Sequence, residues 1–110
     1  MSGYALNLQG MITPKKYIFV KLKVQDRDNT YYVCEVYRIS AYRSVEHFAD
    51  EKASKWYDNN KTRDYQKEIM RNESEGVYSY QSELEEIKVK VDKACEITKY
   101  EYTILNKFLK

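Results

Sequence analysis

From Tyr17 to Val24 the chain alternates with a period of two. Ile18, Val20, Leu22 and Val24 fall on one side, and Tyr17, Phe19, Lys21 and Lys23 on the other. Extended backbone points successive side chains to opposite faces, so this is the pattern of a strand half-buried against a core. Asp26-Arg27-Asp28-Asn29 follows, where Asp and Asn bond their own backbone and favour a turn. Thr30 to Ile39, dense in Tyr and Val, reads as the returning strand. A three-residue loop of Arg27, Asp28 and Asn29 predicts Leu22 opposite Cys34, Val20 opposite Val36, Lys21 opposite Glu35 and Phe19 opposite Tyr37. Opposite charges and aromatic pairs across strands each contribute about 0.2–1 kcal/mol. A slip of one residue would carry Glu35 to the core face. Tyr4 to Gln9 alternates as well and suggests a third strand, broken at Gly10.

Beyond the hairpin the period changes. Val45, Phe48, Ala49, Ala53, Trp56 and Tyr57 recur at helical spacing behind Ser44, a capping residue, and predict a helix that Asp58-Asn59-Asn60-Lys61 interrupts. Thr62 to Met70 reads as a second helix or a continuation, 72–76 as a loop, and Val77 to Tyr80 as a short extended piece. Leu84, Ile87, Val91, Ala94, Cys95, Thr98, Tyr102, Leu105 and Phe108 form a helical stripe, although Ile87, Val89 and Val91 also alternate like a strand. The length of this segment and its lack of Gly and Pro favour the helix. The expected fold is one α+β domain over residues 1–110: a two- or three-stranded antiparallel sheet built on the N-terminal hairpin, packed by two or three helices.

Composition supports a folded chain. Mean hydropathy is −0.79, yet twelve Tyr, three Phe and one Trp stand against three Gly and one Pro, and disordered chains lack such aromatic content. Net charge is only +2. Residues 1–43 hold seven basic and three acidic groups, residues 44–110 twelve basic and fourteen acidic, so the N-terminal part is mildly basic. Cys34 and Cys95 have no ligand-like spacing and read as thiols of a reducing compartment. No apolar run approaches the roughly 18–20 residues of a membrane span and no secretion leader is visible. The expectation is therefore a cytoplasmic protein with no membrane partner. The Lys, Tyr, Ile and Asn bias is that of AT-rich genes such as those of phages and mobile elements.

Catalytic machinery is not legible. His47, three residues after Ser44, lacks an orienting group and an oxyanion hole, so the pair reads as a cap and a surface histidine. One His and two distant Cys do not make a zinc site, and Asp26–Asn29 lacks the Gly and the terminal Glu of a calcium loop. Three glycines, Gly3, Gly10 and Gly76, cannot write a phosphate loop. Glu83, Glu85 and Glu86 read as complements to a helix dipole. The sequence predicts no enzyme, no metal and no cofactor.

What exceeds a generic domain is the second face of the hairpin. Interfaces are enriched in Tyr and Arg, and twelve tyrosines cannot all be core; Tyr42, Tyr65, Tyr78 and Tyr80 are the surface candidates. Tyr17, Phe19, Lys21, Lys23, Tyr37, Arg38, Tyr42 and Arg43 are the expected binding residues. The first expectation is a protein-binding module, a small regulator or inhibitor of the kind phages and mobile elements encode. The alternative is single-strand DNA or RNA binding, with bases on the aromatic rings and phosphates on the lysines. Three features weigh against that alternative: Glu35 amid the face, the apolar Val33 and Ile39, and the low net charge. Self-assembly through the C-terminal helix is a further expectation, and whether that helix covers the hairpin face is open at this level.

Overall fold

The computed structural model describes residues 13–61, 67–72, 77–82 and 87–109. The hairpin is present as β1 (Lys15–Asp26) antiparallel to β2 (Asn29–Ser40), with Ile18, Val20, Leu22 and Val24 buried as their alternation requires. Its register is one residue from the expected one. The loop has two residues, Arg27 and Asp28, so Lys21 faces Cys34, Leu22 faces Val33 and Val20 faces Glu35. Glu35 thus shares a face with Val20, the outcome that the sequence argument sought to avoid. That argument fails because β2 lies at the edge of the sheet. A carboxylate there reaches water past the rim, and Glu35 is exposed.

The expected two- or three-stranded sheet with two or three helices is also corrected. β1 and β2 join β3 (Glu68–Asn72), β4 (Val77–Ser82) and β5 (Ile87–Ile97) in a five-stranded sheet of order β2-β1-β5-β4-β3, with every pair antiparallel. Two helices accompany it among the described residues, α1 (Val45–Asn60) and α2 (Lys99–Leu109). The extended piece expected at Val77–Tyr80 is β4. The second helix expected up to Met70 is instead, from Glu68 onward, the short strand β3. The strand expected at Tyr4–Gln9 lies outside the described residues.

The stripe expected as one long helix over 84–108 divides. β1 is flanked by β2 on one side only, and its other row of backbone groups needs partners. β5 supplies them, burying Ile87 and Val89 beneath α1. Thr98 then starts α2 through a reciprocal capping box: its Oγ1 accepts the Glu101 N–H at 3.0 Å while Glu101 Oε1 accepts the Thr98 N–H at 2.8 Å.

The two faces of the sheet differ in cover. α1 is capped by Ser44, whose Oγ accepts the His47 N–H at 3.2 Å, and it ends at Asn60 as the Asp-Asn-Asn run predicts. It lays Phe48, Ala49, Ala53 and Tyr57 onto Ile18, Val20, Val24, Tyr80 and Val89. Tyr80, a surface candidate by sequence, is therefore core, 5% exposed. α2 packs on the opposite face over β1 and β2. Its Tyr102 ring lies 4.9 Å from the Tyr17 ring, and Val36 is buried on this side. A helix of eleven residues is about 16 Å long, so α2 covers one end of that face. The rest of it is open among the described residues.

Candidate partner-binding surfaces

The eight residues singled out by sequence do not form one site. Tyr17 and Phe19 are half-buried at the end of the sheet that α2 covers. Lys21, Lys23 and Arg38 share their face, with Arg38 opposite Tyr17. Tyr37 faces the other way, its ring 5.1 Å from that of Phe48 in α1. Tyr42 stands in the turn after β2, 81% exposed. Arg43 is paired with Glu51 and lies over the Phe48 ring at 4.7 Å. Tyr65 lies outside the described residues.

Two surfaces emerge instead. The first is the rim formed by β2 and α1. β2 runs twelve residues with no strand on its outer side among the described residues and no register shift against β1. Beside it a groove of about 240 Å³ is lined by Val33, Glu35, Tyr37, Lys52, Lys55 and Trp56 among others. The Lys52 ammonium lies 5.0 Å from the centre of the Tyr37 ring, and neither Lys52 nor Lys55 has a carboxylate partner among the described residues. The one carboxylate in the groove, Glu35, is engaged by the Tyr37 hydroxyl. Burial first, then the Glu35 charge and that hydrogen bond, push the phenol well above its ordinary range.

The second surface is the open face of the sheet. Register places Lys23 directly opposite Lys90 and Gln25 opposite Lys88, with Ser79 and Gln81 of β4 continuing the two rows. Lys93 lies opposite Lys21, at a bulge whose extra residue, Asp92, pairs with Lys21 at 3.6 Å. Tyr32 sits opposite Lys23 and receives the Lys21 ammonium 4.4 Å from its ring centre.

No family model, curated protein or solved structure matches the chain. The surfaces are therefore read from their own chemistry.

Sequence reasoning missed Lys52, Lys55 and Trp56 as rim residues because α1 was read only for its buried stripe. It missed Lys88 and Lys90 because they alternate with Ile87, Val89 and Val91, a strand signal that the coincident helical stripe outweighed. The stripe expected to serve self-assembly is divided between β5 and α2, and Tyr100, Ile104 and Phe108 of α2 are exposed. A third hollow, of about 470 Å³, lies between the start of α1 and β5. Ser44 there is committed to its cap, and His47 Nε2 lies 3.1 Å from Glu51. No helix among the described residues is long and apolar enough to cross a membrane.

Proposed function

We propose that this chain is a non-enzymatic protein-binding module that takes an extended segment of its partner as an added strand along β2. The observation that carries this reading is the contrast between the two edges of the sheet. An unpaired edge is a template for another strand, and proteins blunt it by shortness, charge, Pro or bulges. β3 is blunted by its shortness, five residues. β2 is twelve residues long, without a bulge against β1 and rich in Tyr and Val; it carries Glu35 and Arg38 but neither Lys nor Pro. Strand addition takes affinity from main-chain hydrogen bonds and specificity from pockets that receive alternate side chains. The groove beside β2 offers such pockets: Val33 and Trp56 for an apolar side chain, Lys52 and Lys55 for a carboxylate. The partner segment is thus an extended peptide alternating apolar and acidic residues. Holding a strand that its partner would otherwise pair elsewhere is how a module of this size would regulate or inhibit.

The test is selection of displayed extended peptides on the wild-type chain and on Lys52→Glu/Lys55→Glu. Amide exchange along β2 is then followed with a selected peptide. Enriched acidic-apolar peptides that protect outward β2 amides and lose binding in the double variant support the reading. Absence of enrichment, or peptides that bind the variant equally well and leave β2 exchange unchanged, would overturn it.

A further inference from the structure

We infer that the strand bound along β2 carries two adjacent acidic residues, one held by Arg38 on the α2 side of the sheet and the other by Lys52 on the α1 side. This rests on the strand-addition reading above and specifies the register that such a partner must adopt.

Backbone geometry sets the register. The two-residue loop makes Asp26 and Asn29 the first pair of the hairpin, and across a loop of that length the closing pair exchanges main-chain hydrogen bonds. Hydrogen-bonded and non-hydrogen-bonded pairs then alternate, and β1 and β2 run without a bulge as far as Lys15 and Ser40. Tyr31, Val33, Glu35 and Tyr37 therefore turn their N–H and C=O inward to β1. Thr30, Tyr32, Cys34, Val36 and Arg38 turn theirs outward, where an added strand takes them up. These five carry their side chains on the α2 side, since each stands opposite an odd-numbered residue of β1, from Gln25 to Tyr17.

Side-chain chemistry differs between the two sides. Direct cross-strand neighbours have Cβ atoms about 4.5–5.5 Å apart. The partner residue beside Tyr37 thus falls on the α1 side, next to the Lys52 ammonium, which lies 5.0 Å from the centre of the Tyr37 ring. The partner residue beside Arg38 falls on the opposite side. Arg38 is exposed and makes no ion pair among the described residues. Its guanidinium can take a carboxylate through two parallel hydrogen bonds. Successive residues of a strand point to opposite faces, so two carboxylates in succession reach both cations.

The rest of the pattern follows along the groove. Two residues beyond the acid at Lys52 the partner meets Glu35, where another carboxylate would stand against a like charge. Two residues further it meets Val33 and Trp56, at the apolar end where the Trp56 ring lies 6.4 Å from that of Tyr31. The partner segment therefore has two adjacent acids, a non-acidic residue two positions on, and an apolar residue two positions beyond that.

The experiment is an amide NMR titration of the full chain with the peptide Thr-Glu-Glu-Thr-Thr-Thr-Val-Thr and with its reverse sequence, since a strand can add in either direction. Controls of the same composition, Glu-Thr-Glu-Thr-Thr-Thr-Val-Thr and its reverse, set both acids on one face. The adjacent-acid peptide should bind, in one direction, at least about threefold more tightly than its control, and should slow exchange at the Tyr32, Cys34, Val36 and Arg38 amides. Arg38→Gln should remove that preference, while Arg38→Lys should retain most of it. Arg38→Glu should bind best the peptide whose Glu farther from Val is replaced by Lys, a coupling that a merely structural role for Arg38 would not produce. Circular dichroism checks that each variant folds. Slowed β2 exchange with equal affinity for both arrangements, or a preference that survives Arg38→Gln, overturns the inference and leaves strand addition standing. If these peptides leave the β2 amides unchanged the inference falls, and strand addition falls with it only if the selected peptides also leave them unchanged.

Discussion

The Tyr80 hydroxyl donates a 2.7 Å hydrogen bond to the Asp50 carboxylate, tying β4 to α1 across the core layer. The ring is buried and Lys67 lies 5.4 Å from its centre, so this contact holds the distal strands under the helix. Tyr80→Phe keeps the apolar body and removes only the hydrogen bond to a charged acceptor. It should lower unfolding free energy by about 1–2 kcal/mol, read by urea denaturation.

The same contact predicts behaviour in alkali. Burial first, then Asp50, raise the Tyr80 phenol well above its ordinary value, and Tyr37 is raised by its own burial and by Glu35. A folded-state pKa above the unfolded one means a stabilising contribution complete below about pH 10 and lost as pH climbs through the folded value. Wild-type stability should therefore fall more steeply above about pH 10 than that of Tyr80→Phe. Denaturation midpoints of the two proteins across that range provide the check, and parallel curves would contradict it.

Arg27 occupies the hairpin loop with φ of 57°, a left-handed conformation in which a Cβ costs roughly 1–2 kcal/mol. Glycine removes that cost but loses more freedom on folding. Arg27→Gly should thus gain about 0.5–1 kcal/mol, with a higher thermal midpoint.

α2 depends on its capping box for its start. Thr98→Ala should cost about 1 kcal/mol and loosen the helix from Tyr17, visible as faster amide exchange in its first turn. The Thr98 backbone N–H and hydroxyl hold the Glu101 carboxyl below its usual range. Its contribution is therefore present above the unfolded carboxylate pKa and lost as pH falls through the folded one. The first-turn amides of α2 should accordingly lose protection in acid, and Glu101→Gln should flatten that dependence.

Sequence alone determined the elements whose signals are local and unopposed. The alternation of Ile18, Val20, Leu22 and Val24 made β1, and Ser44 with the Phe48, Ala49, Ala53 and Tyr57 stripe made α1, because capping and amphipathic spacing act within a few residues. Tertiary structure decided everything that required a distant partner. Residues Ile87 to Ile97 satisfy both helical and strand periods, and the vacant side of β1 chose the strand. The hairpin register followed the rim position of β2, which lets Glu35 face the α1 side and still reach water. The lysine face arose from both decisions together, since pairing β1 with β5 brought Lys88 and Lys90 beside Lys23. Propensity is set by neighbours in the chain, whereas pairing is set by which backbone groups would otherwise be left buried without partners.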